Sequence, residues 1–158
     1  NDSWRGQKAD IHEGGHRVPF LVRWPGQVPA NSSRQDLLVL TDLFATFASL
    51  TGQTPSAGAA EDSYNALPVL HDLVIDEPVR DHAVHHSLNG VFALREGRWK
   101  LIEGKGSGGF TAVPGTQNHP AGQLYDLGLD PGETTNLFDE EPKVVARLQA
   151  RLDAIRGE

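Results

Sequence analysis

The stretch Val91-Phe92-Ala93-Leu94-Arg95-Glu96-Gly97-Arg98-Trp99-Lys100-Leu101-Ile102 decides the fold of the later half of the chain. Two β-rich runs, Val91–Arg95 and Arg98–Ile102, flank Glu96-Gly97, a two-residue connection of the kind that closes a hairpin. Val84–Ser87 upstream is placed to pair beside them. Downstream, Gln123–Leu127 reads as a further strand, ended by the turn Asp130-Pro131-Gly132. A helix then begins near Pro142, a good first-turn residue, and repeats Val144, Val145, Leu148, Leu152 and Ile155 on one face. That stripe must bury itself, and the small antiparallel sheet is the obvious partner. Between the strands, Gly104–Gly122 is rich in glycine and holds two prolines, so it reads as a long loop of the kind that is often functional.

The earlier half reads differently. Residues 1–15 are polar and carry three glycines, which predicts loop. Val18–Trp24 is a short apolar run closed by Pro25-Gly26 and fits a strand buried on both faces, with Pro19 near its start where a missing N–H is tolerated. A helix follows: Thr41 as N-cap, Asp42 at the positive end of the dipole, Gly52 at the C-cap. Leu43, Phe44, Phe47 and Leu50 share one of its faces. Gln53–Asp62 reads as loop, and Leu67–Val74 as a short helical turn. The pattern is α/β followed by α+β, with a boundary between residues 1–78 and 79–158.

Composition bounds the function. The chain has 158 residues, 38% hydrophobic and 22% charged, which is ordinary globular material. Its 14 Lys plus Arg against 21 Asp plus Glu give a formal charge of −7, which argues against a nucleic-acid partner. An anionic small substrate stays possible, since a site needs only locally placed cations. No apolar run approaches the roughly 18 residues that span a bilayer, so no membrane partner is expected. The absence of Cys removes disulfides, thiolate metal sites and cysteine nucleophiles. The chain opens on Asn1, contains no Met and shows no leader pattern, so residue 1 is expected not to be the native start.

Several short motifs stand in order. They are Arg5-Gly6-Gln7-Lys8, Glu13-Gly14-Gly15-His16-Arg17-Val18-Pro19, Trp24-Pro25-Gly26, Arg95-Glu96-Gly97-Arg98-Trp99-Lys100-Leu101, Leu124-Tyr125-Asp126-Leu127, and Asp130-Pro131-Gly132-Glu133-Thr134-Thr135-Asn136-Leu137. Together they resemble the late signatures of the sulfatase family, in family order and with sensible gaps. The resemblance implies the end of an alkaline-phosphatase-like α/β core, followed by a small antiparallel sheet packed on a C-terminal helix. It implies hydrolysis of sulfate esters, aryl or carbohydrate, by a formylglycine nucleophile supported by calcium. The nucleophile motif, Cys/Ser-x-Pro-Ser-x-Arg, does not occur here, and Asn1-Asp2 is too close to Lys8, and in the wrong order, to be the family's Asp-Asn metal pair. No cofactor or metal is therefore expected on this chain, and an N-terminal catalytic half is its expected partner. By family analogy the enzyme is periplasmic or secreted; composition does not set the compartment. Two alternatives stay open: a phosphate or phosphonate ester hydrolase of the same superfamily, and a non-catalytic binding module.

By its place in the motif, Lys8 is the expected sulfate-binding and catalytic residue, because a fixed ammonium stabilises an ester oxygen that gains charge as the S–O bond breaks. Glu13 and Arg17 are expected to pair and support the loop that carries Lys8, with Gly14 and Gly15 allowing a tight turn. His85 and His86 are adjacent on a strand and must point to opposite faces, so they suit hydrogen bonds to substrate better than a metal; His12 could contribute likewise. Glu103–Phe110 lacks the spacing of a nucleotide loop and reads as a flexible border to a cleft.

Overall fold

The structure is a computed structural model that describes residues 3–73, 76–112 and 121–157. It divides into two compact units, one formed by the residues up to Val18 together with those from His82 onward, the other by Pro19–Asp81. The packing differs from the expected grouping of residues 1–78 at two places: the opening segment belongs with the later sheet, and the second unit extends to Asp81.

In the first unit, α1 (Glu13–His16) is a single turn, and four strands follow: β1 (His82–His86), β2 (Phe92–Glu96), β3 (Trp99–Glu103) and β4 (Gly122–Asp126). They lie in the order β1-β2-β3-β4, each antiparallel to its neighbour. Glu96 pairs with Trp99, so the hairpin turn is Gly97-Arg98, one residue later than the sequence reading. Gly97 takes φ +55° there, a left-handed value that glycine adopts without strain.

Side chains alternate across the pleat, and the two faces have opposite chemistry. Val84, Leu94, Leu101 and Leu124 are on one face, in register across all four strands. The last helix, α4 (Pro142–Arg156), covers them with Leu148 and Leu152, both fully buried, and with Val144 and Val145. Ile155, expected in that stripe, is exposed in the last turn before Gly157. The other face presents His85, Arg95, Lys100, Gln123 and Tyr125 around a small apolar patch of Ala93 and Ile102. Ile11 of the opening segment seals that patch. Burying polar groups is costly unless they are partnered; on this face Glu13 of the opening segment takes up Lys100 and Arg95, and Glu133 and the carbonyls of Gly104 and Gly106 take up Lys100 and Gln123.

The second unit holds α2 (Asp42–Leu50) and α3 (Leu67–Leu70). Thr41 does not cap α2: its backbone is already helical, and its hydroxyl donates to the Asp62 carbonyl instead. Asp42 ties down the start of the helix, its carboxylate accepting the Val39 and Tyr64 amides and a two-pronged grip from buried Arg80. Gly52 follows the helix with φ +67°, as a C-terminal glycine should. Val18–Trp24 is not a strand here. Val18, Phe20, Leu21 and Val22 are exposed, and among the described residues no strand pairs with the run. A strand buried on both faces exists only with neighbours on both sides.

Candidate functional site

The opening segment is bound to the polar sheet face from Arg5 to Arg17. Arg5 donates to the Glu133 carbonyl at 2.7 Å and to the Tyr125 hydroxyl at 3.2 Å. The chain then turns at Gln7–Asp10, where the Asp10 amide donates to the Gln7 carbonyl at 3.0 Å. Lys8 and Ala9 are the two central residues. Ala9 has φ +83°, the value a type II turn requires at its third residue and one that costs a side chain roughly 1–2 kcal/mol. Such a conformation persists only where the surroundings over-determine it.

Asp10 provides that restraint. Its carboxylate is fully buried, with Oδ2 accepting the Gln7 amide at 2.9 Å and Oδ1 accepting those of Phe110 and Thr111 at 2.8 and 3.0 Å. Burial would raise its pKa, but these bonds outweigh it and hold the group down at about 2. Asp10 therefore stays ionised and ties the Lys8 turn to the loop after β3. Lys8 is exposed at the tip, as a residue that must meet a ligand has to be.

Behind the turn lies a buried charge cluster. Glu13 receives Lys100 Nζ at 3.0 Å, Arg17 Nε at 3.0 Å and Arg95 at 3.3 Å. Lys100 Nζ also lies 3.0 Å from Glu133 Oε1, and Glu133 Oε2 accepts the Glu13 amide at 2.7 Å. Burial pushes both carboxyls up. At Glu13 the Lys100 and Arg95 charges reverse that and lower it, whereas Glu133 stays raised because Lys100 offsets only part of the effect. The Glu13–Arg17 pair is thus one edge of a larger network built from residues of three motifs: Glu13 with Arg17, Arg95 with Lys100, and Glu133.

The glycines of Glu13-Gly14-Gly15 work differently from the expectation. Neither has positive φ. A Cβ on Gly15 would lie 2.2 Å from the Asp10 carbonyl oxygen and 2.8 Å from that of Gln7, so glycine is needed because α1 presses against the Lys8 turn.

The histidines divide. His12 is fully buried, with Nε2 3.4 Å from Gln123 Oε1 and Nδ1 without a partner among the described residues. Burial, then the Arg5 and Lys100 charges, depress it to about 3. A neutral ring sealed against Tyr125 offers nothing to a substrate, which corrects the expectation for His12. His85 is on the polar face, its ring 4.2 Å from that of His16, and burial with Lys100 and His16 lowers it to about 3. His86 points to the opposite face, is exposed, and engages its neighbour's carbonyl, that of Ser87, at 2.8 Å. The structure therefore brings Lys8, Glu13 and Arg17 together on the opening segment, buries His12, and separates His85 from His86.

Among the described residues, no group of three or more His, Asp or Glu side chains is placed to hold a metal ion. The side chains of the described residues thus present no carboxylate set that fits a calcium ion. A shallow concavity of about 400 Å³ in the second unit is lined by Thr41, Phe44, Gly58 and Glu61–Ser63 and includes none of the candidate residues.

A family model described as N-sulphoglucosamine sulphohydrolase, C-terminal, matches residues 4–158. The chain belongs to that sulfatase family. An N-acetylgalactosamine-6-O-sulfatase of Bacteroides thetaiotaomicron is 37% identical over 157 residues, 97% of this chain and 30% of that protein. Human arylsulfatase A is 30% identical over 171 residues, covering 93% of this chain and 33% of its own length. A solved chain from work on the metabolism of multiple glycosaminoglycans by Bacteroides thetaiotaomicron superposes with a TM-score of 0.84 at 34% identity, covering 99% of this chain and 32% of that one. A structure in complex with its substrate D-glucosamine-2-N,6-O-disulfate shares the fold, with a TM-score of 0.64 at 20% identity over 85% of this chain and 27% of that one. This chain spans about a third of the length of the relatives it matches. The motifs that run from Arg5 to Leu137 thus belong to a C-terminal sulfatase domain with the sheet-and-helix fold described above.

Proposed function

We propose that this chain is the sulfate-gripping C-terminal part of an enzyme that hydrolyses sulfate esters on carbohydrates, with Lys8 binding the ester sulfate. The observation that carries the reading is the exposed Lys8 on a turn whose every neighbour is immobilised: Asp10 beneath it, Gly15 against it, and the Glu13–Lys100–Glu133 cluster behind. An ammonium held in advance stabilises charge as it develops on the sulfate oxygens, without reorganising. The nucleophile and the calcium that the resemblance implies belong to the rest of such an enzyme, and this chain's part is confined to the anion. The 37% identity to a protein named for N-acetylgalactosamine 6-O-sulfate makes a 6-sulfated hexosamine the first substrate to try.

In the complete enzyme, Lys8→Ala should lower turnover of such a substrate by about a hundredfold or more, the usual result of removing one anion-stabilising donor. A loss below about tenfold would remove Lys8 from the mechanism. The isolated chain should show no turnover of an aryl sulfate above a Lys8→Ala control, with or without calcium.

A further inference from the structure

Three segments meet at the Lys8 turn and are stitched to one another through their backbones. The Leu88 amide donates to the Ala9 carbonyl at 3.0 Å, Ile11 to Ser107 at 2.8 Å, and Asn89 to Gly108 at 2.9 Å. Asp10 holds the Phe110 and Thr111 amides, and Gln7 Nε2 reaches the Thr111 hydroxyl at 3.3 Å. Gly108 and Gly109 leave no room for a side chain: a Cβ would stand 2.1 Å from Ser87 Oγ at the first and 2.5 Å from the Ala9 carbonyl oxygen at the second. Gln123 closes the base of the loop through the Gly104 and Gly106 carbonyls. A run whose composition reads as flexible is therefore clamped at both ends and pressed onto the lysine turn.

Among the described residues, this platform shows to solvent the cations of Lys8 and Lys105 and two large apolar side chains, Leu88 at 62% exposure and Phe110 at 66%. A short glycine-rich loop held this firmly has no folding need to display a phenyl ring. Exposed apolar groups on a preorganised surface beside a polar anchor are the ordinary make-up of a small-molecule site. A pyranose ring matches it, since its hydroxyls are equatorial or peripheral while its C–H bonds form weakly apolar faces that pack on an aromatic ring.

We propose that Phe110 is a specificity-determining residue that receives the sugar ring of a sulfated carbohydrate whose sulfate lies at Lys8. This rests on the reading of Lys8 as the sulfate-binding residue. Phe110 adds affinity for the ring, whereas Lys8 acts on the anion, so the two separate experimentally.

The test uses the complete enzyme, with a 6-sulfated hexosamine disaccharide as substrate and inorganic sulfate as a ringless competitive inhibitor. Phe110→Ala should raise KM for the disaccharide about fivefold or more, the scale of a lost aromatic contact. It should leave kcat, the inhibition constant of sulfate and the melting temperature as they were, and Phe110→Tyr should restore KM. An unchanged KM overturns the inference. So does a melting temperature that falls along with sulfate inhibition, because Phe110 would then be packing against protein. Should Lys8→Ala leave sulfate inhibition intact, the sulfate-site reading itself fails, whatever Phe110 does.

Discussion

At the scale of single residues, the polar side of the sheet makes stability depend on pH in a definite direction. His12 and His85 are held to about 3, against an ordinary 6.5. Between those values the unfolded chain binds protons that the folded chain refuses, so acid favours unfolding. Their contribution is constant above about pH 6.5 and declines below it, by up to about 1.4 kcal/mol per histidine per pH unit. Asp10 adds to the loss at lower pH: its stabilisation is complete above 3.8 and disappears as pH falls toward about 2. The urea midpoint of the chain should therefore drop steadily from pH 6.5 to 5, and His12→Phe should lessen that slope by about one proton's worth. An identical slope in the variant would mean that His12 is not kept neutral by burial. Lys8 could be picked out from sequence because its motif is local. Asp10, Lys100 and Glu133 could not, since their partners lie about 90 to 120 residues away along the chain. The available signals were a lysine inside a strand next to Trp99, on the face opposite the leucines, and the place of Lys100 and Glu133 within motifs whose pairing no local pattern gives.

Elements extend the same logic. The hairpin and α4 were legible because β-rich runs around a two-residue turn, and apolar residues three and four apart in a helix, follow directly from local backbone geometry. The cover on the other sheet face was not, because it is an irregular segment whose packing comes from hydrogen bonds and one isoleucine. That difference predicts where the fold is brittle. Gly15→Ala places a methyl 2.2 Å from a backbone oxygen that cannot swing away. The variant should unfold at least about 2 kcal/mol more easily, a cost typical of forced overpacking, with its proteolysis beginning in the opening segment. Lys100→Met leaves Glu13 and Glu133 facing each other without their shared cation, and breaking a buried pair in this way costs about 3–5 kcal/mol. Denaturant titrations of both variants check the two figures. A Lys100→Met variant as stable as the parent would show that the cluster is tolerated by the fold and does not hold it together.

For the molecule as a whole, α2 is the telling element because its amphipathicity runs backwards. It buries Asp42 and Thr46, which bond to each other, to Arg80 and to the Ala66 amide, and it exposes Phe44 at 55% and Phe47 at 57%. Leu21, in the apolar run expected to be a strand, is 91% exposed. Helical periodicity in the one segment and an apolar run in the other are both present, though the run forms no strand here; what the pattern could not reveal is that their covering surface is not supplied by the described residues of this chain. With relatives about three times as long, the proposed enzyme has ample chain to cover these faces. On its own, the chain should bind a dye specific for exposed apolar surface and should self-associate as its concentration rises, since patches of this kind rarely persist on monomers. Phe44→Ser with Phe47→Ser should reduce both effects without lowering the stability of the isolated chain, because neither ring is buried. In the complete enzyme the same pair should instead destabilise by about 3 kcal/mol or more, as removal of two buried aromatic rings does. Equal behaviour in the two settings would leave α2 a solvent-facing helix and the covering surface unneeded.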